Sequence, residues 1–316
     1  MKILVTGGLG YIGSQLVSFL SKELCCEVRI LTHRIPLIFE DWRKKYEIIQ
    51  ADVTDRKRIR FCCRGCDAVI HLASLDQMEA KLNPELALRV SGFGTRNVLE
   101  EAASENVERF LYFSTFHVYG LPETKIIDEK SSIVPLNDYG LAHYVGELYC
   151  HQYRRLSNLK TIIIRPSNGF GPPVHKEIDC WHLAINDFCK SAFEKGKIVL
   201  KSRGTQKRDF ISIRDIIDGV AVLLKTEISK MGYHTFNLGS GVSRSIREAA
   251  ELVKEAYEEK YKKKIKIELQ GESSPFGFEM DFCLDMSRMK ELGFKPPGLE
   301  QMKKEIQKIF ILLESS

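Results

Sequence analysis

Gly7, Gly10 and Gly13, placed directly after the apolar run 2–6, form the clearest chemistry-bearing pattern in the chain. Glycines at this spacing bring main-chain N–H groups up to an anion. Gly7 suits the backbone angles of a tight turn, Gly10 lets the main chain approach a pyrophosphate, and Gly13 lets the following helix pack closely on the strand. Tyr11 and Ile12 fill the last gap, and the helix beginning there offers free N–H groups and the positive end of its dipole to the phosphates. Gly8 adds a G-x-G-x-x-G match to the wider T-G-x-x-G-x-x-G. A strand before and a helix after are the context in which such glycines bind a dinucleotide. About 20 positions past the glycines, this architecture reads the ribose: an acidic side chain holds the hydroxyls of NAD, and a basic one suits the 2′-phosphate of NADP. The stretch here is Thr32-His33-Arg34, without a carboxylate, so the reading leans to NADP and leaves NAD open. Cys63-x-x-Cys66 also has ligand spacing, but no second pair follows and Cys66 leads into an apolar run, so no metal site is expected.

These residues need elements to hold them. Apolar runs predict strands at 2–6, 27–32, 47–49, 67–72, 110–114 and 160–164, and helical periodicity covers 14–24, 84–104 and 139–156. Such β-α-β alternation predicts an α/β fold: a Rossmann-type doubly wound parallel sheet with ligands at the carboxyl ends of its strands, and a smaller C-terminal substrate-binding lobe. The expected division is an NAD(P)-binding domain over 1–165, with part of 205–240 returning to it, and a mainly substrate-binding lobe over 166–316. In that lobe helices are expected over 178–195, from the Ser245-Ile-Arg-Glu248 capping box to about residue 260, and over 299–313.

With 316 residues, 44% of them hydrophobic, the chain can bury a full core. Its formal charge of +5 is mild, and the one basic run, 260–266, is short and lacks interleaved aromatics, so nucleic acid is not an expected partner. The first strand starts at Lys2 and no apolar run approaches the ~20 residues of a membrane span, so a cytoplasmic protein with no membrane partner is expected. Nine cysteines, with two adjacent pairs, suit free thiols.

The full set of motifs resembles the extended short-chain dehydrogenase/reductases, in their sugar-nucleotide epimerase/dehydratase, UDP-glucose 4-epimerase-like branch. The resemblance rests on the glycine turn, Ala51-Asp-Val-Thr-Asp55, Val69-Ile-His-Leu-Ala73, Gly94-Thr-x-Asn-Val-Leu-Glu100, Phe113-Ser-Thr-Phe-His-Val-Tyr-Gly120, Tyr139, Arg165-Pro-x-Asn168, Arg208-Asp-Phe-Ile211 and Phe236-Asn-Leu-Gly-Ser-Gly241. It implies that Asp52 and Val53 contact adenine, and that Leu72, Ala73 and Ser74 line the phosphate and ribose side. Thr115 matches the residue that hydrogen-bonds the reacting oxygen, Tyr139 the catalytic acid/base, Phe116 and Asn168 substrate contacts, and Arg208 a substrate-phosphate ligand. A homo-oligomer is also implied, through the helices near 84–104 and 139–156.

Four departures sharpen the expectation. The lysine that normally follows the tyrosine by four residues is His143, and an asparagine of the cofactor site is Ser91. Phe116 and His117 stand where 4,6-dehydratases carry an Asp-Glu pair, and Ser274, Pro275 and Phe276 lie where an arginine clamps the diphosphate. Hydride transfer at a carbinol carbon needs a proton to move with it, and a phenol of unperturbed pKa about 10 serves near neutrality only beside positive charge. The expected activity is therefore NAD(P)-dependent epimerization, or one-way redox, at a ring carbon of a nucleotide-linked hexose or heptose, C4 by the resemblance. The alternatives are a dinucleotide-binding regulatory member weakened by His143 and Ser91, and a reductase outside sugar metabolism.

Overall fold

Strands β1 (Lys2–Thr6), β2 (Glu27–Thr32), β3 (Glu47–Gln50), β4 (Ala68–His71) and β5 (Arg109–Phe113) build a parallel sheet with the strands Lys160–Pro166 and Thr235–Leu238. The computed structural model describes residues 1–271 and 281–315. From one edge the order is Thr235–Leu238, Lys160–Pro166, β5, β4, β1, β2, β3. β1 therefore pairs with β2 on one side and β4 on the other, with Thr6 in register with both Leu31 and His71. That reversal of direction opens a crevice at the carboxyl ends of β1 and β4, where open α/β sheets bind ligands.

Apolar residues on both faces explain why the strands read as continuous runs: Ile3, Leu4 and Val5 are fully buried. On one face Leu4, Leu31, Val69, Phe110, Tyr112 and Ile163 pack under Val98, Leu99, Ala102 and Cys150. Cys62, Cys63 and Cys66 belong to the same apolar cluster, where burial pushes the Cys66 thiol above its ordinary pKa. Among the described residues no group of histidines, cysteines and carboxylates could hold a metal, and no helix is long and apolar enough to cross a membrane.

The helices of this unit are α1 (Tyr11–Lys22), α2 (Gln77–Leu82), α3 (Pro84–Ala87), α4 (Thr95–Ser104) and α5 (Asp138–Leu156). The helix expected over 84–104 is divided by a π-helical stretch, Leu88–Gly94. Its glycines lie against neighbours: a Cβ on Gly94 would meet Val53 at 2.6 Å, and one on Gly92 would meet Val145 at 3.1 Å. α5 opens on Asn137, whose side chain accepts from the Gly140 N–H at 2.8 Å.

One buried ion pair holds α5 to the sheet. Arg165 donates through Nε to Glu147 Oε1 at 2.9 Å and through Nη2 to Oε2 at 2.6 Å. Its Nη1 donates to the Tyr119 hydroxyl at 2.9 Å, and Ser114 Oγ donates to the same carboxylate. Both charged side chains are almost wholly buried.

The chain divides into two compact units. The first comprises Met1–Leu121, Lys130–Arg165 and Thr226–Phe236; the second comprises Pro122–Glu129, Pro166–Lys225 and Asn237–Ser316. The second holds a three-stranded sheet, in the order Ser243–Ser245, Lys207–Ser212, Asn168–Phe170. Its apolar core joins helices Ala184–Lys195, Ile246–Tyr261 and Leu299–Glu314. The Ser245–Glu248 capping box is formed, with both reciprocal bonds present. The helix expected from residue 178 begins at Ala184, because Leu183 before it has extended backbone.

Candidate functional site

β1 ends in a turn only glycine could make. Gly7 has φ +67°, and a Cβ there would stand 3.0 Å from the Ala73 nitrogen. A Cβ on Gly13 would fall 2.2 Å from the Gly7 carbonyl oxygen, so α1 can start this close to the strand only with glycine at that position. Gly10 caps α1 with no side-chain hydrogen bond, and the start of a helix is suited to an anion.

A cleft of about 550 Å³ opens over this turn. It is lined by Gly7 and Gly10 of the turn, by Thr32, His33 and Arg34, by Asp52 and Val53, and by Leu72, Ala73 and Ser74. These residues fit a dinucleotide, since the glycines admit close backbone approach and the lining includes residues at the carboxyl ends of β1, β2 and β4. Thr32 Oγ1 donates to the Arg34 carbonyl at 2.8 Å, so that hydroxyl is committed locally while the Arg34 side chain stays exposed. Asp52 accepts from the N–H and the hydroxyl of Thr54, and Asn97 Nδ2 donates to the Val53 carbonyl. Tyr11, Ile12, Gly13 and Ser91 do not line the cleft. Ser91 is buried in the π-helical stretch, where its carbonyl accepts from the Thr95 hydroxyl at 2.6 Å.

Thr115, Tyr139 and His143 come together where β5 ends and α5 begins. Thr115 is buried and caps the short turn Phe116–Tyr119, its Oγ1 accepting from the His117 N–H at 3.2 Å. Gly140 lets α5 start against that turn, since a Cβ there would lie 2.7 Å from the His117 carbonyl oxygen. Tyr139 packs with Leu75, Ala80, Ala87 and Ala142, and Leu75 also lines the cleft. Part of its ring remains accessible, yet burial pushes the phenol up to about 12, with a hydrogen bond from Thr115 pulling the other way. The rings of Tyr139 and His143 meet edge to face, centroids 4.6 Å apart. His143 is buried, and loss of hydration lowers it to about 3, helped by the nearby His117 and opposed by a backbone hydrogen bond with Phe113. Both groups are therefore neutral at physiological pH.

The sequence reading missed the polar network behind this pair. Tyr112 on β5 reaches His143, its hydroxyl 3.2 Å from Nδ1. Beside it His71 is fully buried between Thr6, 2.6 Å from Nδ1, and Thr95, 3.0 Å from Nε2. Within otherwise apolar strands, unlike the glycine turn, neither residue carries a local signal.

Asn168 and Arg208 lie in the second unit. Asn168 Nδ2 donates to the Asp209 carbonyl at 2.9 Å. Arg208 stands opposite Arg244 across an antiparallel ladder and donates to the Lys207 carbonyl and to Gln206 Oε1. Among the described residues no carboxylate lies within ion-pair distance of Arg208. Ser274, Pro275 and Phe276, the expected neighbourhood of the missing arginine, fall outside the described residues.

The sequence profile of the NAD dependent epimerase/dehydratase family matches residues 3–239. A putative UDP-glucose 4-epimerase of Methanocaldococcus jannaschii is 29% identical over 305 residues, which cover 93% of each chain. Among solved structures, the UDP-glucose 4-epimerase of Thermotoga maritima, solved with UDP-glucose, superposes with a TM-score of 0.84 at 21% identity, covering 99% of this chain and 98% of that one. The UDP-glucuronic acid 4-epimerase of Bacillus cereus, in complex with UDP-glucuronic acid and NAD, gives 0.81 at 24% identity, covering 99% and 100%. At these identities the structural likeness carries the fold, and the seven-stranded parallel sheet with its smaller sheets agrees with it.

His71 and His143 also make stability depend on pH. Both are lowered from 6.5 to about 3 by burial. Below pH 6.5 the unfolded chain takes up two protons that the fold excludes, so their stabilising contribution is full above that pH and is lost as pH falls toward 3. Each should contribute a slope of about 1.4 kcal/mol per pH unit in that window. Urea unfolding between pH 7.5 and 5 should show the loss, and His143→Gln should roughly halve the histidine part of the slope. Wild-type stability that does not change across that range would contradict the neutral burial of both rings.

Proposed function

This chain belongs to the NAD-dependent epimerase/dehydratase family, and from that premise we propose that it epimerizes a nucleotide sugar at a ring carbinol carbon, C4 first among them. The observation that carries the reading is the meeting of Tyr139, Thr115 and His143 beside a cleft built for a dinucleotide. The residues of the glycine turn, Gly7 and Gly10 among them, would hold NAD, which when bound would supply the hydride acceptor and, in its oxidised form, positive charge. Tyr139 exchanges the proton with the substrate oxygen. Thr115 already accepts the His117 N–H, so its own hydrogen is left to donate to Tyr139 or to that oxygen. Phe116 and His117 offer no carboxylate pair for eliminating water, which favours epimerization or one-way redox over dehydration. Asn168 and Arg208 are assigned to the substrate, Arg208 to its diphosphate.

His143 stands four residues after Tyr139, one helical turn on, where the resemblance places a lysine. A buried neutral imidazole supplies no fixed charge, so in this reading the bound cofactor must supply what lowers the Tyr139 phenol. The test of the whole reading is turnover of UDP-glucose and related nucleotide sugars, followed by chromatography of the C4 epimers. Tyr139→Phe should cut the rate by about 10²–10⁴ while leaving NAD bound. Unchanged turnover in that variant, or no turnover of any nucleotide sugar by NAD-loaded protein, would overturn it.

Cofactor choice and assembly extend the proposal. With Arg34 exposed just past β2 and no carboxylate in the stretch Thr32-His33-Arg34, the cleft is suited to accept NADP as well as NAD. Arg34→Glu should then weaken NADPH by roughly tenfold or more relative to NADH, the worth of one charge-assisted bond. Equal weakening of both cofactors would remove the assignment. Leu141 and Leu148, seven residues apart on α5, are about half exposed, as is Phe93 on the neighbouring π-helical stretch. We assign this apolar face to a homodimer. Light scattering at micromolar concentration should give twice the chain mass, and a monomer would count against it.

A further inference from the structure

Arg208 and Arg244 stand directly opposite each other where the strand Lys207–Ser212 pairs antiparallel with Ser243–Ser245. Opposed residues of such a ladder send their side chains to one face, with Cβ atoms ~5 Å apart, and like charges in that position destabilise the pairing. The fold does little to relieve them. Arg208 donates through Nη1 to the Lys207 carbonyl at 2.9 Å and through Nη2 to Gln206 Oε1 at 3.3 Å, both neutral acceptors. Among the described residues the Arg244 side chain has no ion pair, and its Nε is buried without a hydrogen-bond partner. A buried N–H left bare costs free energy unless something binds it.

Carboxylates are close in sequence, but they serve the opposite face. Side chains alternate along a strand, so Lys207, Asp209 and Ser243 point away from the two arginines. Asp281 pairs with Lys207 at 3.3 Å and accepts from Ser243 Oγ at 2.8 Å. Asp209 is occupied by the N–H groups of Ser240, Gly241 and Leu284. Glu248 feels the charge of Arg244, yet its carboxylate is held in the capping box by the Ser245 N–H at 2.6 Å. Burial lowers the Arg208 guanidinium from its ordinary range, and no carboxylate opposes that shift. By contrast, Lys197 pairs with Glu268 and Arg214 with Asp218.

We propose that Arg244 is a second anion ligand beside Arg208, and that the two guanidiniums together clamp the diphosphate of the nucleotide-linked substrate. This deepens the proposed function, on which the identity of the ligand rests. Guanidinium forks suit phosphoryl oxygens, and a bridging diphosphate carries one negative charge on each phosphoryl group, matching the two cations. Ser274, Pro275 and Phe276 provide no cation where the resemblance places a clamping arginine, so Arg244 supplies the second charge from a different strand. It is then a specificity residue for the diphosphate and takes no part in hydride or proton transfer.

Calorimetry with UDP and with uridine tests the clamp without requiring turnover. Arg244→Gln should weaken UDP by roughly ten- to hundredfold, the worth of one charge-assisted hydrogen bond or pair, and leave uridine unchanged. Because it removes a like-charge opposition, the same variant free of ligand should melt no lower than the wild type. In arginine-labelled wild type, the nitrogen-15 resonance of the Arg244 Nε–H should move on adding UDP and stay in place with uridine, a readout independent of how any variant folds. UDP bound equally by wild type and Arg244→Gln would overturn the proposal. So would an Arg244 resonance indifferent to UDP, or a distinctly less stable ligand-free variant, which would make Arg244 a structural partner of the ladder. UDP binding through Arg244 in a protein that turns over no nucleotide sugar would uphold the clamp and sink only the functional reading.

Discussion

Helix α5 is held on the sheet by the buried pair Glu147–Arg165, and every side chain proposed to do chemistry depends on it for its place. The pair is bidentate, and the remaining hydrogen-bonding capacity is taken by Ser114 and Tyr119. Ser114 directly precedes Thr115, and Tyr119 closes the turn that Thr115 caps. The carboxylate thus binds the end of β5, the strand Lys160–Pro166 and α5 at one point. Such pairs gain little net stability over apolar packing, but removing one partner leaves a bare buried charge at a cost of ~3–5 kcal/mol. Its value here is register, because Glu147 sits one turn past His143 and two past Tyr139 on the same helix.

Around that fixed charge pair, the residues proposed to react are kept uncharged. Burial pushes Tyr139 up to about 12 and His143 down to about 3, so neither carries charge at neutral pH. A site of this kind has the geometry for proton exchange before it has the driving force. A unit positive charge ~5 Å away at an effective dielectric of about 20 is worth ~3 kcal/mol, roughly two pKa units. In the proposed mechanism the oxidised cofactor is the source of that charge, which ties acid/base competence to cofactor occupancy.

Legibility in the sequence followed the range of the interactions. The glycine turn, the alternating strands and helices, and the Ser245–Glu248 capping box are set by neighbours a few residues apart, and all were readable. Thr115 and Tyr139 were singled out only through the family pattern, since a hydroxyl at a strand end and a tyrosine at a helix start look ordinary alone. Tyr112 and His71 were hidden, because their partners are 31, 24 and 65 residues distant and their own strands are otherwise apolar. The strand Lys207–Ser212 was hidden for another reason. It carries a fully buried carboxylate, Asp209, satisfied by the N–H groups of Ser240, Gly241 and Leu284, and such a residue breaks the apolar pattern that announces a strand. Asp76 and Glu79 have the spacing of a capping box and do form one, so α2 could have been read and was not.

The central claim is that the fold holds Tyr139 as a neutral phenol and that the oxidised cofactor makes it an acid/base. Selective carbon-13 labelling of the tyrosine ring, followed by titration of Tyr139 with and without NAD⁺, measures this directly. The account predicts no ionisation of the free protein's Tyr139 below about pH 11, and a fall of roughly two pKa units when NAD⁺ binds. An ordinary pKa near ~10 in the free protein, or the same value in both states, would contradict it.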